Sequence, residues 1–528
     1  MNKYRRHGGP VPVLSAREAV MMIEDGAVVA IVGAGGGITE PTKLIDGLAE
    51  RFRETGEPKN LTFWHATGLG DRGDRGMSPL AQPGLVKRAI GGHWGQSPRL
   101  AEMAERNEIE AYCLPQGTMS QLLRTAAAGQ PGLLTHSGLN TYIDPRQTGG
   151  RLNARTTEEL IELVEMDGRE WLYYRAPKID VAVIRGTTAD TDGYISMESE
   201  IAWLDSLPMA QAAHNNGGIV IAQVKNLVKA GTIHPRDVKI PGYLVDAVVV
   251  DPGQCQLYNA PENRFLCGDY IAEEGKCESL LLNERKVIAR RALMEIRDGD
   301  VGNLGVGISD GIGSVAREEG LGGNFTLTIE TGPIGGVTAQ GIFFGASVNS
   351  KALADMPAQF DFYGGGGLDV CFLSFAEVDP VGNVNVSRFN GKIQGVGGFI
   401  DISSRSRKII FSGTLTAGGL KTAVGEGRIR IVSEGRFKKF LMKTEEISFS
   451  ASEALRNGQE VLYLTERAVF RLTSSGVMLI EVAPGIDIEH DVVAHMGFRP
   501  LIAEEVKIMD SRLFAEGRMD IREEWLKS

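Results

Sequence analysis

Cysteine is scarce: five residues in 528, Cys113, Cys255, Cys267, Cys277 and Cys371, with no CxxC pair and no histidine at ligand spacing. That scarcity argues against a structural zinc or a disulfide framework, and a reducing cytosol suits it. Cys371 lies in a strand-like run and reads as a buried, inert thiol. No run of about 18 apolar residues occurs, so no segment reads as spanning a membrane. MNKYRRHGGPVPV at the N-terminus carries basic residues with no apolar stretch behind them, so it is not read as a secretory signal. Basic charge is short as well. Lys plus Arg number 56 against 67 Asp plus Glu, and the net charge of −11 argues against a nucleic-acid partner. None of the eight histidines neighbours a nucleophile in a motif. His65 and His136 read as ordinary polar residues.

Glycine is the opposite case, at 67 residues, nearly double the usual share of roughly 7%. The glycines cluster between apolar strand-like runs, which suggests tight turns and close backbone approaches. At this length the chain should hold two or more domains, each with its own core.

One stretch organises the rest. Phe325 to Gly336 reads FTLTIETGPIGG. Phe325 to Ile329 has the alternation of a strand in an α/β sheet, and the breakers Thr331-Gly332-Pro333 leave Glu330 at its carboxyl end. Ligands of open α/β sheets bind outside those ends. The stretch alone leaves open a plain solvated turn glutamate.

Towards the N-terminus, Ser15 to Ile23 has helical spacing, with Ser15 and Glu18 forming a capping box. Ala27 to Val32 reads as a strand running into the glycines 33–37, followed by a helix from Pro41 to Phe52. Strand, glycine loop and helix point N–H groups at an anion, although Ile38 breaks the dinucleotide fingerprint. A structural turn without a ligand is equally compatible. This pattern recurs at residues 286–307. LTFWHATG (61–68) aligns without gaps on FTLTIETG (325–332), and residues 179–196 align on 368–385, matching Asp180 to Asp369, Asp190 to Asp379 and Gly193 to Gly382. The order is preserved, so two related α/β halves are expected, 1–278 and 283–528. Ala66 falls opposite Glu330, which suggests a single active carboxylate supplied by the second half. The first half carries an insertion containing Leu114-Pro115-Gln116-Gly117-Thr118 and the polar loop Tyr142 to Arg155. The C-terminal region reads as an antiparallel meander of Ile429–Val432, Val461–Leu464, Ala468–Leu472 and Val477–Val482, with a helix over Glu504 to Phe514 packed on it.

Three glycine loops follow Glu330: Gly335-Gly336, Gly364 to Gly367, and Gly395-Val396-Gly397-Gly398. Converging on the acid, they would supply a small-residue wall and N–H donors for charge building on a carbonyl oxygen. A carboxylate nucleophile suits attack on an activated acyl group. Tyr142, Phe362 and Tyr363 are candidates to line such a pocket or simply to pack.

The blocks IETGPIGG, DFYGGGGLDVCFLSFAEVDPVGNVNVSRF, GVGGFIDIS, SGTLTAGGLK and LPQGT resemble the family I coenzyme A transferases of the single-chain propionate/acetate type, over nearly the whole chain. The resemblance implies two tandem CoA-transferase-type (NagB/RpiA-like) α/β domains. It implies transfer of coenzyme A between short-chain acyl-CoA thioesters and free carboxylates of the acetate, propionate and butyrate class, by a ping-pong route through a γ-glutamyl-CoA thioester on Glu330. An acyl-CoA hydrolase using the same glutamate is the alternative. By the same resemblance Gly397 and Gly398 stabilise the oxyanion, Gln116 faces the acyl end, Gly35, Gly36 and Gly37 border the acyl pocket, and Gly364, Gly365 and Gly366 lie along coenzyme A. Ile-Glu-Thr-Gly stands where many two-subunit members have Ser-Glu-Asn-Gly, so a role given to that asparagine does not transfer. Coenzyme A is expected as substrate and covalent intermediate, with no tightly bound cofactor and no metal. A cytoplasmic homodimer or homotetramer is expected. The chemistry requires one ionised acid and no general base, a carboxylate being deprotonated at about pH 7.

Overall fold

Two ten-stranded sheets carry the chain. The computed structural model describes every residue except Met1, Asn2, His7, Asn259, Pro261, residues 274–279, Val306, residues 308–310, Gln340 and Ser528. Cys277, the expected domain limit at residue 278 and part of the Gly305–Gly307 repeat therefore lie outside the described residues.

In the first sheet the spatial order is Val13–Leu14, Ala247–Val250, Ile219–Val228, Val181–Asp190, Val28–Ile31, Leu61–His65, Val86–Gly91 and Glu110–Cys113, every neighbouring pair parallel. Runs such as VAVI and IVIA are buried throughout, as strands covered on both faces must be. The covering helices show the matching stripe: Thr42–Thr55 buries Leu44, Ile45, Leu48 and Ala49 and stops at Gly56, whose φ of 70° suits glycine.

The second sheet repeats this order. Glu460–Leu464, Lys408–Ser412, Val370–Ser374, Val301–Leu304 and Thr326–Thr328 occupy the places of Ala247–Val250, Ile219–Val228, Val181–Asp190, Val28–Ile31 and Leu61–His65, again parallel. The aligned residues do the same work. Asp180 accepts the N–H of Val28 at 2.9 Å, and Asp369 accepts that of Val301 at 3.0 Å. Asp190 closes a turn by accepting from Asp192 and Tyr194, as Asp379 does from Gly382 and Asn383. Gly193 and Gly382 sit in those turns at φ 89° and 98°, where a side chain would be strained.

Some local expectations change. The first helix spans only Ala16–Val20, with the Ser15/Glu18 capping box formed. Glu460–Leu464, Ala468–Thr473 and Gly476–Val482 form the antiparallel meander on the sheet's edge. Residues 429–432 are not part of it: Arg428–Ser433 pairs with Lys421–Gly425 in a separate hairpin. The expected helix over 504–514 is a strand, Leu501–Ile508, parallel to Gly476–Val482, followed by a 3-10 turn at Ser511–Phe514. Ile502, Val506, Met509 and Leu513 imitate helical spacing. The sheet edge, however, offers backbone partners that an isolated amphipathic run lacks. Cys113 and Cys371 are buried, Cys255 exposed and Cys267 half-buried, all unpaired. No described helix is long and apolar enough to cross a membrane.

The halves are joined by backbone. Trp94 and Gly95 donate to Gln394 O at 2.8 and 3.0 Å, and Val396 and Gly397 donate back to Gly92 O at 3.1 and 2.8 Å. Asp401 then accepts from Gly117 N (2.7 Å), Thr118 N (3.2 Å) and Thr118 Oγ1 (2.8 Å).

Asp180→Ala and Asp369→Ala should lower the apparent melting temperature by similar amounts, since each exposes one buried N–H worth about 1–3 kcal/mol. A thermal melt in which one variant is silent would show that the two aspartates do not share a role.

Candidate active site

Glu330 follows directly on Thr326–Thr328 and Ile329, at the carboxyl end of the strand beside Val301–Leu304. Val301–Leu304 is the strand from which the chain departs in both directions, towards Thr326–Thr328 on one side and Val370–Ser374 on the other. The acid therefore stands at the topological switch point, where open α/β sheets hold ligands. In the first half the same location carries Ala66, buried at 3% exposure.

The residue retains some exposed surface, but Oε2 is sealed and has no hydrogen-bond partner. No cation pairs with it among the described ion pairs. Burial pushes the carboxyl up from an ordinary 4.5 to about 7, opposed by its own backbone and by the amide of Asn303. Burial therefore works against the full ionisation at neutral pH that an ordinary carboxylate would have. Asn303 is set by its Nδ2, which donates to Thr328 O and Tyr363 Oη, both at 3.3 Å. Tyr363 in turn donates to Thr328 Oγ1 at 2.9 Å and accepts from Gln359 at 2.8 Å.

A chain of contacts that begins and ends beside Glu330, at Thr328 and Thr331, links several of the residues expected at the site. Tyr363 lies on the helix Met356–Gly364. At the other end of that helix Met356 Sδ takes the Gln116 amide at 3.4 Å, while Phe360 packs where a Cβ on Gly117 or Gly398 would fall. Gln116 N donates to Gly397 O at 2.9 Å. Opposite, Thr331 donates to Gly345 O at 2.7 Å, and a Cβ on Gly345 would lie 3.0 Å from Ile38, the residue after Gly37. A Cβ on Gly35 would lie 3.2 Å from Gln96 Nε2, and one on Gly68 would lie 2.9 Å from Gln96 Cγ and 2.8 Å from His93 Nδ1. His93 completes the chain at Gly397.

Donor capacity is distributed unevenly. The N–H of Gly397 is spent on Gly92 O, whereas that of Gly398 meets no acceptor among the described residues. Gly36 and Gly37 donate to Gly70 O and Ala34 O, so the first glycine loop offers an anion fewer amides than its sequence promises. Glycine is required at position 37 for another reason: a Cβ would stand 2.8 Å from the Tyr258 ring. Tyr258 donates to the buried Glu40, and Arg185, paired to Glu200 at 3.1 Å, donates to Gly37 O and Glu40 O, fixing the loop from beneath. Gly365, Gly366 and Gly367 turn their N–H groups back onto Asp361, Tyr363 and Phe362, closing the helix. Space remains on Gly364, where a Cβ would meet nothing within 4 Å.

Sequence reading missed three contributors: Asn303, His93 and Asp401. Asp401 had a signal, its place in the GVGGFIDIS block, but its partners lie about 280 residues away. His93 and Asn303 stand in no motif. Tyr142 donates to Cys113 O at 3.2 Å. His65 is buried against Thr67 O at 2.9 Å and pushed down to about 4, a packing histidine. A cavity of about 760 Å³ lined by His136, Trp171, Arg405 and Gln459 lies beyond the amino ends of Lys408–Ser412 and Glu460–Leu464, at the opposite end of the sheet from Glu330. Among the described residues no cluster of His, Cys, Asp or Glu could hold a metal.

Residues 13–251 match the family model described as coenzyme A transferase. The chain is 59% identical over 515 residues to the acetate CoA-transferase YdiF of Escherichia coli (strain K12), covering 97% of each chain. It is 42% identical over 511 residues to the caffeate CoA-transferase of Acetobacterium woodii, covering 95% of this chain and 97% of that one. The crystal structure of the acyl-CoA transferase YdiF from E. coli O157:H7 superimposes with a TM-score of 0.94 as the apoenzyme, at 57% identity over 98% of each chain. Its thioester complex with CoA superimposes with a TM-score of 0.93 over 97% of each chain.

The raised carboxyl sets a stability prediction. Because the folded state holds the Glu330 proton up to about 7 and the unfolded chain releases it near 4.5, the group's favourable contribution is complete below about 4.5 and is lost as pH rises through 7. Glu330→Gln should therefore melt higher than the parent at pH 8, by on the order of 3 kcal/mol at most. The difference should close at pH 5; an equal difference at both pH values would rule out desolvation as its cause.

Proposed function

The chain belongs to the coenzyme A transferase family and is a CoA-transferase; from that premise we propose that it moves coenzyme A between short-chain acyl-CoA thioesters and free carboxylates by a ping-pong route on Glu330. Acetate is the first acceptor to consider, because the 59% identical relative is an acetate CoA-transferase. The observation that carries the reading is the unpaired, sealed Oε2 of Glu330 at the switch point. Nothing in the fold needs that charge, and a desolvated carboxylate without a counter-ion is a stronger nucleophile than a solvated one.

The ionised γ-carboxylate adds to the thioester carbonyl. The C–S bond breaks, coenzyme A leaves as its thiolate, and an acyl-glutamyl anhydride remains. The thiolate adds to the glutamyl carbonyl, the anhydride C–O bond breaks, and the first carboxylate departs, leaving γ-glutamyl-CoA. A second carboxylate reverses the sequence and leaves as the new acyl-CoA. No proton is transferred on balance, so no general base is needed once Glu330 is ionised. Charge on the tetrahedral oxygen falls to the N–H of Gly398 and the side-chain amide of Gln116, with Gly397 shaping the turn rather than donating. The loop Gly35 to Gly37 walls the acyl end. Gly364, Gly365 and Gly366 serve coenzyme A by leaving room, their amides being committed to the helix end. The domains are read as 1–278 and 283–528.

Treatment with acetyl-CoA followed by borohydride should trap reduced label at Glu330, and Glu330→Ala should lose at least about 10⁴-fold in kcat, as removal of a nucleophile does. Thioester consumption should require added acetate or propionate; consumption without them would make the protein a hydrolase. In the free enzyme kcat/KM for acyl-CoA should fall about tenfold per pH unit below about 7, following the carboxylate fraction of Glu330. A profile flat down to pH 5 would contradict the raised acid.

A further inference from the structure

His93 is absorbed by no motif and by no step above. It lies in Gly-Gly-His-Trp-Gly, residues 91–95, the segment paired with Gln394–Gly397 of the other half. That pairing fixes its Cα against Gly395, where a Cβ would come within 2.7 Å. A Cβ on Gly397 would lie 4.0 Å from His93 Cδ2 and 3.4 Å from Gln116 Oε1, so the ring and the amide flank the same turn. Across the ring, a Cβ on Gly95 would stand 3.2 Å from Cε1. Nε2, which lies between those two ring carbons, therefore faces the gap between Gly95 and Gly397.

The opposite nitrogen is closed off. Nδ1 is sealed against Gly68 without a hydrogen-bond partner. Burial, with Arg72 and His65 nearby, pushes the imidazole down to about 4, so the ring is neutral and carries one N–H. An orphaned buried N–H is rarer than an orphaned lone pair. The proton therefore belongs on Nε2, and the sealed Nδ1 keeps only its lone pair. This leaves a fixed, neutral donor beside the Gln116–Gly397 turn, on the chain of contacts that leads to the neighbours of Glu330.

We propose that Nε2–H of His93 binds one oxygen of the free carboxylate substrate, holding the other towards the carbonyl on Glu330. The proposal rests on the reading of Glu330 given above. A neutral donor is well matched to a monocarboxylate, because it orients the acid without the tight ion pair that an arginine would form, and the acid can leave again.

The experiment compares His93→Leu, His93→Gln and His93→Asn, with acetate and propionate as acceptors and borohydride trapping of the CoA adduct run alongside. Glutamine places its amide where Nε2 stands, and asparagine places it at Nδ1. His93→Leu should raise KM for the carboxylate roughly 10- to 100-fold, more than it lowers kcat. His93→Gln should recover most of that loss and His93→Asn little of it. A merely structural histidine would give no such order between glutamine and asparagine. Should leucine fold poorly, the glutamine–asparagine pair decides alone. Trapping at Glu330 in the parent with an unchanged acceptor KM in His93→Leu, or equal defects in His93→Gln and His93→Asn, overturns the inference alone. No trapping in the parent overturns the reading of Glu330 and this inference with it.

Discussion

The clamp between the halves is the constraint on which the site depends. Four backbone hydrogen bonds pair Gly92–Gly95 with Gln394–Gly397, and the buried Asp401 carboxylate takes three donors from Gly117 and Thr118. These contacts are short and directional, and water is excluded from most of them, so a slip of one residue would leave several polar groups unpaired. One half carries Glu330 at a strand end; the other carries Gln116, His93 and the first glycine loop. In the proposed mechanism neither half holds the complete set. The clamp would then turn two similar sheets into one asymmetric site.

The asymmetry is visible in what each half spends on its strand end. The first half closes the end of Leu61–His65 with Ala66 and supports the adjacent loop with the buried Arg185–Glu200 pair and Glu40. The second half leaves Glu330 without a cation partner among the described residues, and burial raises its carboxyl to about 7. Burying an unpaired carboxylate works against folding, and such strain persists only where the surrounding structure enforces it. Here the enforcement comes from the strand, the Asn303–Tyr363–Thr328 network and the Thr331–Gly345 bond.

Where a residue does a local backbone job, its role could be read in the sequence. Asp180 and Asp369, or Gly193 and Gly382, recur at matched positions because each sheet needs its central strand capped and its turn closed in the same way. Glu330 was conspicuous for a similar reason, an acid set between a strand and its breakers. Residues whose roles depend on remote partners gave no such signal. His93 is one of eight histidines until Gly397, about 300 positions away, is placed against it. Leu501–Ile508 has a helical rhythm until a vacant sheet edge claims it. The glycine loops advertised amide donors, yet only the folded chain shows that Gly36, Gly37, Gly365, Gly366 and Gly397 have already spent theirs.

The amino-acid sequence by itself determined the duplicated α/β plan and the acid at the end of the second half's strand, because periodicity, breakers and repeats are properties of neighbouring residues. Tertiary structure alone decided that this acid is desolvated, that the Gly397 N–H is spent on Gly92 O, and that a histidine from the other half stands beside Gly397. Burial and hydrogen-bond saturation are sums over atoms brought together from distant parts of the chain, and no local window of sequence contains those sums.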